Sequence, residues 1–276
     1  MSSLENKKIV FVGAGNMAEA LIRGLINSSA VSAKNITGTT PEMHRRDELK
    51  QTYGIAVGSD NAQAVSSADI VVLSVKPQIL ERVLQDISSS VRSDALVISI
   101  AAGVPIAAIE RHLPANIAVC RTMPNTPALV GAGATAISPG SHCGDAHLQL
   151  VHTIFSAVGE VVDVDESLMD AVTGLSGSGP AYVFLIIEAL ADAGVNVGLP
   201  RNKAMLLAAQ TVHGASKLLL ETGEHPGVLK DRVTSPGGTA IAGLHTLEEG
   251  GLRHTLMNAV SAATARSEEL GRKYTH

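Results

Sequence analysis

Aromatic residues are nearly missing from this chain. Of 276 residues, three are Tyr, three are Phe and none is Trp, together 2%. A core of this composition must be built from Ala, Val, Ile and Leu, and the 45% hydrophobic share is large enough to supply it. The two cysteines, Cys120 and Cys143, are too few for a disulfide framework, and neither lies in a C-x-x-C pair or a His/Cys cluster. That usage fits a reduced, cytoplasmic setting and suggests no metal site. The ten histidines show no metal-like spacing to one another. A net charge of −5, with no stripe of Lys and Arg, argues against a nucleic-acid surface. The opening "MSSLENKK" is polar and lacks the apolar centre of a signal peptide. No uninterrupted apolar run reaches the roughly 20 residues that span a bilayer, so no membrane partner is expected.

What the chain does have is order in its apolar residues. "KIVFVG" (8–13), "NITGTT" (35–40), "DIVVLSV" (69–75), "ALVISIA" (95–101) and "NIAVCRT" (116–122) read as strands. They lack polar alternation, as parallel strands covered on both faces do. Stretches 16–28, 41–53, 77–88 and 105–113 have helical spacing, and two later strand-like runs, 133–139 and 159–165, flank a helix near 145–157. The alternation predicts an α/β fold with a Rossmann-like, doubly wound parallel sheet over residues 1–164. From 165 to 276 strand signals stop, and Ala/Leu-rich helical patterns follow near 180–194, 200–222, 237–249 and 251–271. An all-helical second domain is expected there, too apolar for a small monomeric bundle, which points to subunit pairing. In "SPGGTAIAGLHTLEEGG" Ser235 suits the N-cap and Pro236 the first helical position.

The stretch "VFVGAGNMAEALIRGL" (10–25) carries G-x-G-x-x-A between a strand and a helix. Gly13 allows the tight turn, Gly15 lets a pyrophosphate approach the backbone, and Ala18 keeps the helix close to the strand. With Asn16 and Met17 opening the helix, this reads as a dinucleotide-binding loop, the alternative being a glycine turn needed only for packing. Where an NAD-binding sheet usually carries Asp or Glu, the second strand ends in Thr39 and Thr40, and Arg45 and Arg46 follow. Hydroxyls with guanidinium groups suit a 2′-phosphate, so NADP(H) is the expected cofactor and NAD(H) is not excluded. The two arginines equally suit a solvated helix surface.

Four further stretches occur together: "SVKPQ" (74–78), "SIAAGV" (99–104), "MPNTPA" (123–128) and "SGSGPAY" (176–182). With "LKDRVTSPGGTAIAGL" (229–244), the set resembles the 1-pyrroline-5-carboxylate reductase family over almost the whole chain. The resemblance implies reduction of the cyclic imine 1-pyrroline-5-carboxylate to L-proline by hydride transfer from NAD(P)H. It implies a Rossmann domain followed by a helical dimerisation domain, with homodimers assembling into larger rings such as a decamer. Val75, Lys76 and Pro77 would line the cofactor, and Asn61 matches a family position beside its adenosine ribose. Ala101 and Ala102 are small enough to admit a flat nicotinamide, and Asn125 could present its amide to the same ring or only brace a turn. The substrate's one strong handle is a carboxylate. A helix N-terminus with accessible N–H groups suits it, which selects Ser235, Gly237, Gly238, Thr239 and Ala240. Many relatives resemble this segment but carry Thr where this chain has Ala240, so no catalytic proton donor is assigned.

Two other classes fit parts of this pattern. A 3-hydroxyacid dehydrogenase shares the domain order but needs a catalytic lysine on a helix of the second domain; Lys203 and Lys217 are available, neither in a supporting motif. A non-catalytic dinucleotide sensor would not need the carboxylate clamp. "SGSGPAY" resembles a nucleophile elbow only superficially, because its glycine spacing is wrong.

Overall fold

Strands of four apolar residues frame the first part of the chain. The computed structural model describes residues 4–274. Its sheet has eight strands: β1 (Ile9–Val12), β2 (Ile36–Thr39), β3 (Ala56–Gly58), β4 (Ile70–Leu73), β5 (Leu96–Ser99), β6 (Ala118–Met123), β7 (Gly133–Pro139) and β8 (Gly159–Asp163). Their order is β3-β2-β1-β4-β5-β6-β7-β8. In β1 and β4 every side chain is buried. Successive residues feed opposite faces: Ile9, Phe11, Ile70 and Val72 join one core cluster, and Val10, Val12, Val71 and Leu73 the other.

Helices cover both faces. These are α1 (Asn16–Asn27), α2 (Met43–Tyr53), α3 (Asn61–Val65), α4 (Pro77–Ile87), α5 (Ile106–Glu110), α6 (Asp145–Ser156) and α7 (Met169–Val172). Leu21, Ile22 and Leu25 of α1 and Val151, Ile154 and Phe155 of α6 close one core, while Leu80, Leu84 and Ile87 of α4 close the other. The all-parallel expectation fails at one place, because β7 runs antiparallel to β6. The connection between them holds only a 3-10 turn, Thr126–Val130. A parallel return needs a longer crossover, so the chain doubles back. The helix α6 then provides that crossover, and β8 pairs parallel with β7.

The chain divides into two compact units at a different place from the expected boundary at 164. One unit runs to Ser178 and resumes at Ala262; the other is Gly179–Ser261. Side chains explain the difference. In the first unit, Arg121 on β6 is buried and donates to Glu166 Oε1 at 3.2 Å, and Ser267 donates to Asp170 Oδ1 at 2.6 Å. Residues 165–178 and the chain's last helical turns are thereby tied to the sheet. The second unit is helical: α8 (Gly179–Asn196), α9 (Arg201–Thr222), α10 (Pro226–Arg232), α11 (Thr239–Glu249) and the first part of α12 (Leu252–Arg272). Gly194 of α8 is a close-approach glycine, since a Cβ there would stand 2.9 Å from the Ala204 Cβ of α9.

Glu166–Asn196 is long and apolar enough, by length and composition alone, to cross a membrane. Its apolar residues do not form an uninterrupted run, because Thr, Ser, Gly and Pro at 173–180 interrupt them.

Candidate active site

The bare backbone of the glycine loop has two separate causes. Gly13 has φ +93°, and a Cβ on it would stand 2.6 Å from Val75 Cγ1 and 2.8 Å from the Ser74 carbonyl oxygen. The chain leaving β4 therefore occupies the space a side chain would need. The loop is also stitched to both neighbouring strands: Ala14 N donates to the Thr39 carbonyl at 2.9 Å, and Ser74 Oγ donates to the Gly13 carbonyl at 2.6 Å. Gly15 differs. Nothing lies within 4 Å of its would-be Cβ, and it caps α1 with no side-chain hydrogen bond. Gly15 and Asn16 are exposed, Met17 is half-buried and Ala18 is buried against the core. This N-terminus lies where the strand order reverses between β1 and β4, the place where such sheets take ligands. An uncapped helix start with open space before it fits a pyrophosphate.

The residues after β2 are separated by the structure. Thr39 is buried, and its hydroxyl donates to Asn61 Oδ1 at 2.7 Å, while Asn61 Nδ2 donates to Asp86 Oδ2 at 3.3 Å. Both groups tie β2 to the helices beside it. Thr40 is also buried, and its hydroxyl accepts from Glu42 N at 3.4 Å. Arg45 is committed within the protein. Its Nε donates to the Ala14 carbonyl at 3.1 Å, Nη1 to Glu48 Oε2 at 2.8 Å, and Nη2 to Glu19, whose other oxygen accepts from the Tyr53 hydroxyl at 2.8 Å. The Arg45 side chain is only 13% exposed. Burial pushes the Glu19 carboxyl up, but hydrogen bonds from Arg45 and Tyr53, with the charges of Arg45 and Arg23, hold it below its ordinary value. Tyr53 is raised by burial and by its bond to Glu19. Arg46 is half-exposed and has no side-chain partner among the described residues. Of the two arginines, it is the one whose guanidinium is not committed within the described protein.

On the other side of the switch point, Ser74–Lys76 leaves β4 and Pro77 opens α4 with Lys76 at the N-cap. Val75 and Pro77 are half-buried and Lys76 is exposed. After β5, Ala101 is buried and Ala102 half-buried, and Gly103 turns with φ +72°. Asn125 uses both ends of its amide. Its Oδ1 accepts from Ala134 N at 2.9 Å and its Nδ2 donates to the Ser176 carbonyl at 3.1 Å. The bracing reading therefore describes its side chain. Ser176 belongs to a π-turn, Thr173–Gly177, where a Cβ on Gly177 would stand 2.5 Å from Met123 Cε. The small residues of the "SGSGP" stretch let this turn close onto the end of β6. No sequence signal marks the Arg121 pairing, because its partners lie 45 and 49 residues away and share no motif with it.

In the second unit, the helix expected to start at Pro236 starts later. Gly238 is the N-cap and α11 begins at Thr239. Gly238 N donates to the Ser235 carbonyl at 3.0 Å and Gly237 has φ +66°, so residues 235–238 form a turn before the helix. No side chain caps α11. A Cβ on Gly238 would stand 2.2 Å from Ser235 Oγ, so the serine hydroxyl lies over the glycine backbone. Ser235, Gly237 and Thr239 are exposed, and Gly238 and Ala240 half-buried. The result is an open, uncapped helix start with a hydroxyl beside it, suited to a carboxylate. The alternative lysines are plain surface residues: Lys203 is exposed, and Lys217 lies 3.6 Å from Glu221 on its own helix.

Residues 166–270 match the family model for pyrroline-5-carboxylate reductase dimerisation, and residues 8–103 match that for NADP oxidoreductase, coenzyme F420-dependent. The pyrroline-5-carboxylate reductase of Methanosarcina acetivorans is 51% identical over 270 residues, covering 98% of this chain and 100% of its own. That of Arabidopsis thaliana is 46% identical over 96% of each chain. Among solved structures, a pyrroline-5-carboxylate reductase from Coxiella burnetii superposes with a TM-score of 0.90 at 40% identity, over 96% of this chain and 99% of that one. A Plasmodium falciparum pyrroline carboxylate reductase with NADP bound gives 0.86 at 35% identity, over 97% and 99%.

Proposed function

The chain belongs to the pyrroline-5-carboxylate reductase family, and on that premise we propose how its residues divide the work. It is an oxidoreductase that reduces 1-pyrroline-5-carboxylate to L-proline with a nicotinamide cofactor. Backbone N–H groups at Gly15, Asn16 and Met17 hold the pyrophosphate, and Gly13 keeps the loop against β4. Arg46, with the edge of the turn at Thr40, takes the 2′-phosphate and favours NADP(H) over NAD(H); Arg45 holds α2 against the glycine loop. Val75, Lys76, Pro77, Ala101 and Ala102 form the wall for the nicotinamide half, and Asn125 stiffens that wall. When bound, the nicotinamide supplies a hydride to the imine carbon.

The turn at Ser235 and the N–H groups of Gly238, Thr239 and Ala240 hold the substrate carboxylate. A protonated imine is already a good electrophile, so orientation can carry most of the catalysis. That agrees with Ala240, whose side chain has no proton to give. The observation that carries this reading is the pair of open, glycine-led helix starts, at α1 and α11, neither capped by a side chain. We place the enzyme in the cytoplasm as a homodimer or larger homo-oligomer, without nucleic-acid or membrane partners. Exposed apolar side chains occur on α9 and α12 as well as on α8; α9 and α12 are not among the membrane-span candidates of the described residues, and a protein partner suits all three.

The test is NADPH oxidation measured with the cyclic imine, with a 3-hydroxyacid and with no addition. Oxidation with the imine alone, matched by proline formed, is expected. Turnover of the hydroxyacid with NADP+, or binding of dinucleotide without any turnover, would select one of the other classes.

A further inference from the structure

Tyr274 is 197 residues from Pro77 in sequence, yet its hydroxyl donates to the Pro77 carbonyl at 2.8 Å. Pro77 is the first residue of α4 and adjoins Lys76. No side chain caps α4, proline brings no N–H of its own, and among the described residues no other side chain hydrogen-bonds to Lys76 or Pro77. Beside the packing of Leu80 in the core, the start of α4 therefore takes its one side-chain hydrogen bond, among the described residues, from Tyr274.

Tyr274 is itself held from three directions. Its N–H donates to the Gly271 carbonyl at 2.9 Å, its own carbonyl accepts from Arg111 Nη2 of the turn after α5, and Lys273 Nζ lies 4.8 Å from its ring centroid. The ring packs on the core cluster that includes Leu80 and Leu84 of α4. The last turns of α12 also meet the loop after β5. A Cβ on Gly271 would stand 3.1 Å from the Gly103 carbonyl oxygen, and one on Gly103 would stand 3.6 Å from the Ser267 carbonyl oxygen. One short segment, residues 267–274, thus touches both loops that we assign to the nicotinamide wall.

We infer that Tyr274 is a positioning residue for the cofactor pocket: its hydroxyl fixes the start of α4 and so sets Lys76 and Pro77 against the dinucleotide. The inference rests on the reading of residues 75–77 as cofactor-lining. Tyr274→Phe keeps the ring and its packing and removes only the hydroxyl. NADPH affinity is read directly by titrating nicotinamide fluorescence, beside steady-state kinetics and a melting curve. The expected result is a Kd and KM for NADPH raised about 3–10-fold, the span of one ordinary hydrogen bond. The kcat, the KM for the imine and the melting temperature should stay near wild type. Lys76→Ala is measured in parallel. If it weakens NADPH binding and Tyr274→Phe does not, the positioning role is wrong while the pocket reading stands. If neither variant changes NADPH binding, the pocket reading itself fails. If Tyr274→Phe lowers stability and impairs both substrates alike, the tyrosine is a structural strut and the inference is overturned.

Discussion

Arg45 and Arg46 are neighbours on one turn of α2 with opposite surroundings. Arg45 commits its guanidinium to Ala14, Glu19 and Glu48, and the Arg46 guanidinium has no partner among the described residues. Arg46→Ala should therefore weaken NADPH binding and leave NADH binding nearly unchanged. A charge-assisted hydrogen bond to phosphate is worth about 1.5–3 kcal/mol, or roughly 10–150-fold in Kd. Arg45→Ala should weaken both dinucleotides alike and lower the melting temperature, because it frees the glycine loop from α2. Equal effects of Arg46→Ala on both cofactors would remove the phosphate from this position. The same network sets an acid limit on stability. The folded pKa of Glu19 lies below its unfolded value of 4.5, so its contribution is complete above that pH and is lost as pH falls through the lower folded value. The melting-temperature gap between wild type and Glu19→Gln should be constant near neutrality and should close below about pH 4.5. A gap that persists unchanged into acid would assign the effect to packing instead.

At the start of α11, four residues act together as one turn. Gly238→Val would drive a branched side chain into Ser235 Oγ, 2.2 Å from the glycine's would-be Cβ, and crowd the open N–H groups. Ser235→Ala removes one hydroxyl and leaves the backbone donors in place. Both should raise the KM for the imine, the valine change more, with the Kd for NADPH near wild type. Unchanged imine kinetics in Gly238→Val would put the carboxylate elsewhere. How far such elements can be read from sequence depends on their length and on the distance to their partners. The strands β1, β4 and β5 were legible because four-residue apolar runs between helical spacings have few other solutions. The three residues of β3 and the five of α3 are too short to show a period of their own. The antiparallel direction of β7 was written in the short connection before it rather than in its composition. The glycine loop was legible as a motif. The commitment of Arg45 was not, since Glu19 lies 26 residues away and only folding brings it near. Ser-Pro commonly opens helices and so points to Ser235 as a cap, but two successive glycines let the chain turn once more before α11 begins.

At the scale of the molecule, the second unit is short of a core. Among its described residues the buried apolar side chains are Ala191, Ala204 and Ala208, small residues that set helix spacing and fill little volume. Its larger apolar side chains face outward: Phe184 is 65% exposed, Leu206 66%, Leu220 75% and Met257 65%. Full burial of one such side chain contributes about 1.5–3 kcal/mol, so a unit that leaves this many in water gives up much of what would hold it folded. A second copy of the same surface is the natural cover, because a two-fold interface needs a patch only to complement itself. Light scattering of the full chain at micromolar concentration should therefore give a dimer or a larger assembly. Phe184→Glu combined with Leu206→Glu should shift the protein toward monomer or soluble aggregate and lower its melting temperature by several degrees, since each charge must enter an apolar interface. The sheet unit has its own two cores and does not depend on this surface, so dinucleotide binding in the variant should survive better than imine reduction. A wild-type chain that runs as a stable monomer, or a double variant that dimerises normally, would show that these side chains are covered in some other way.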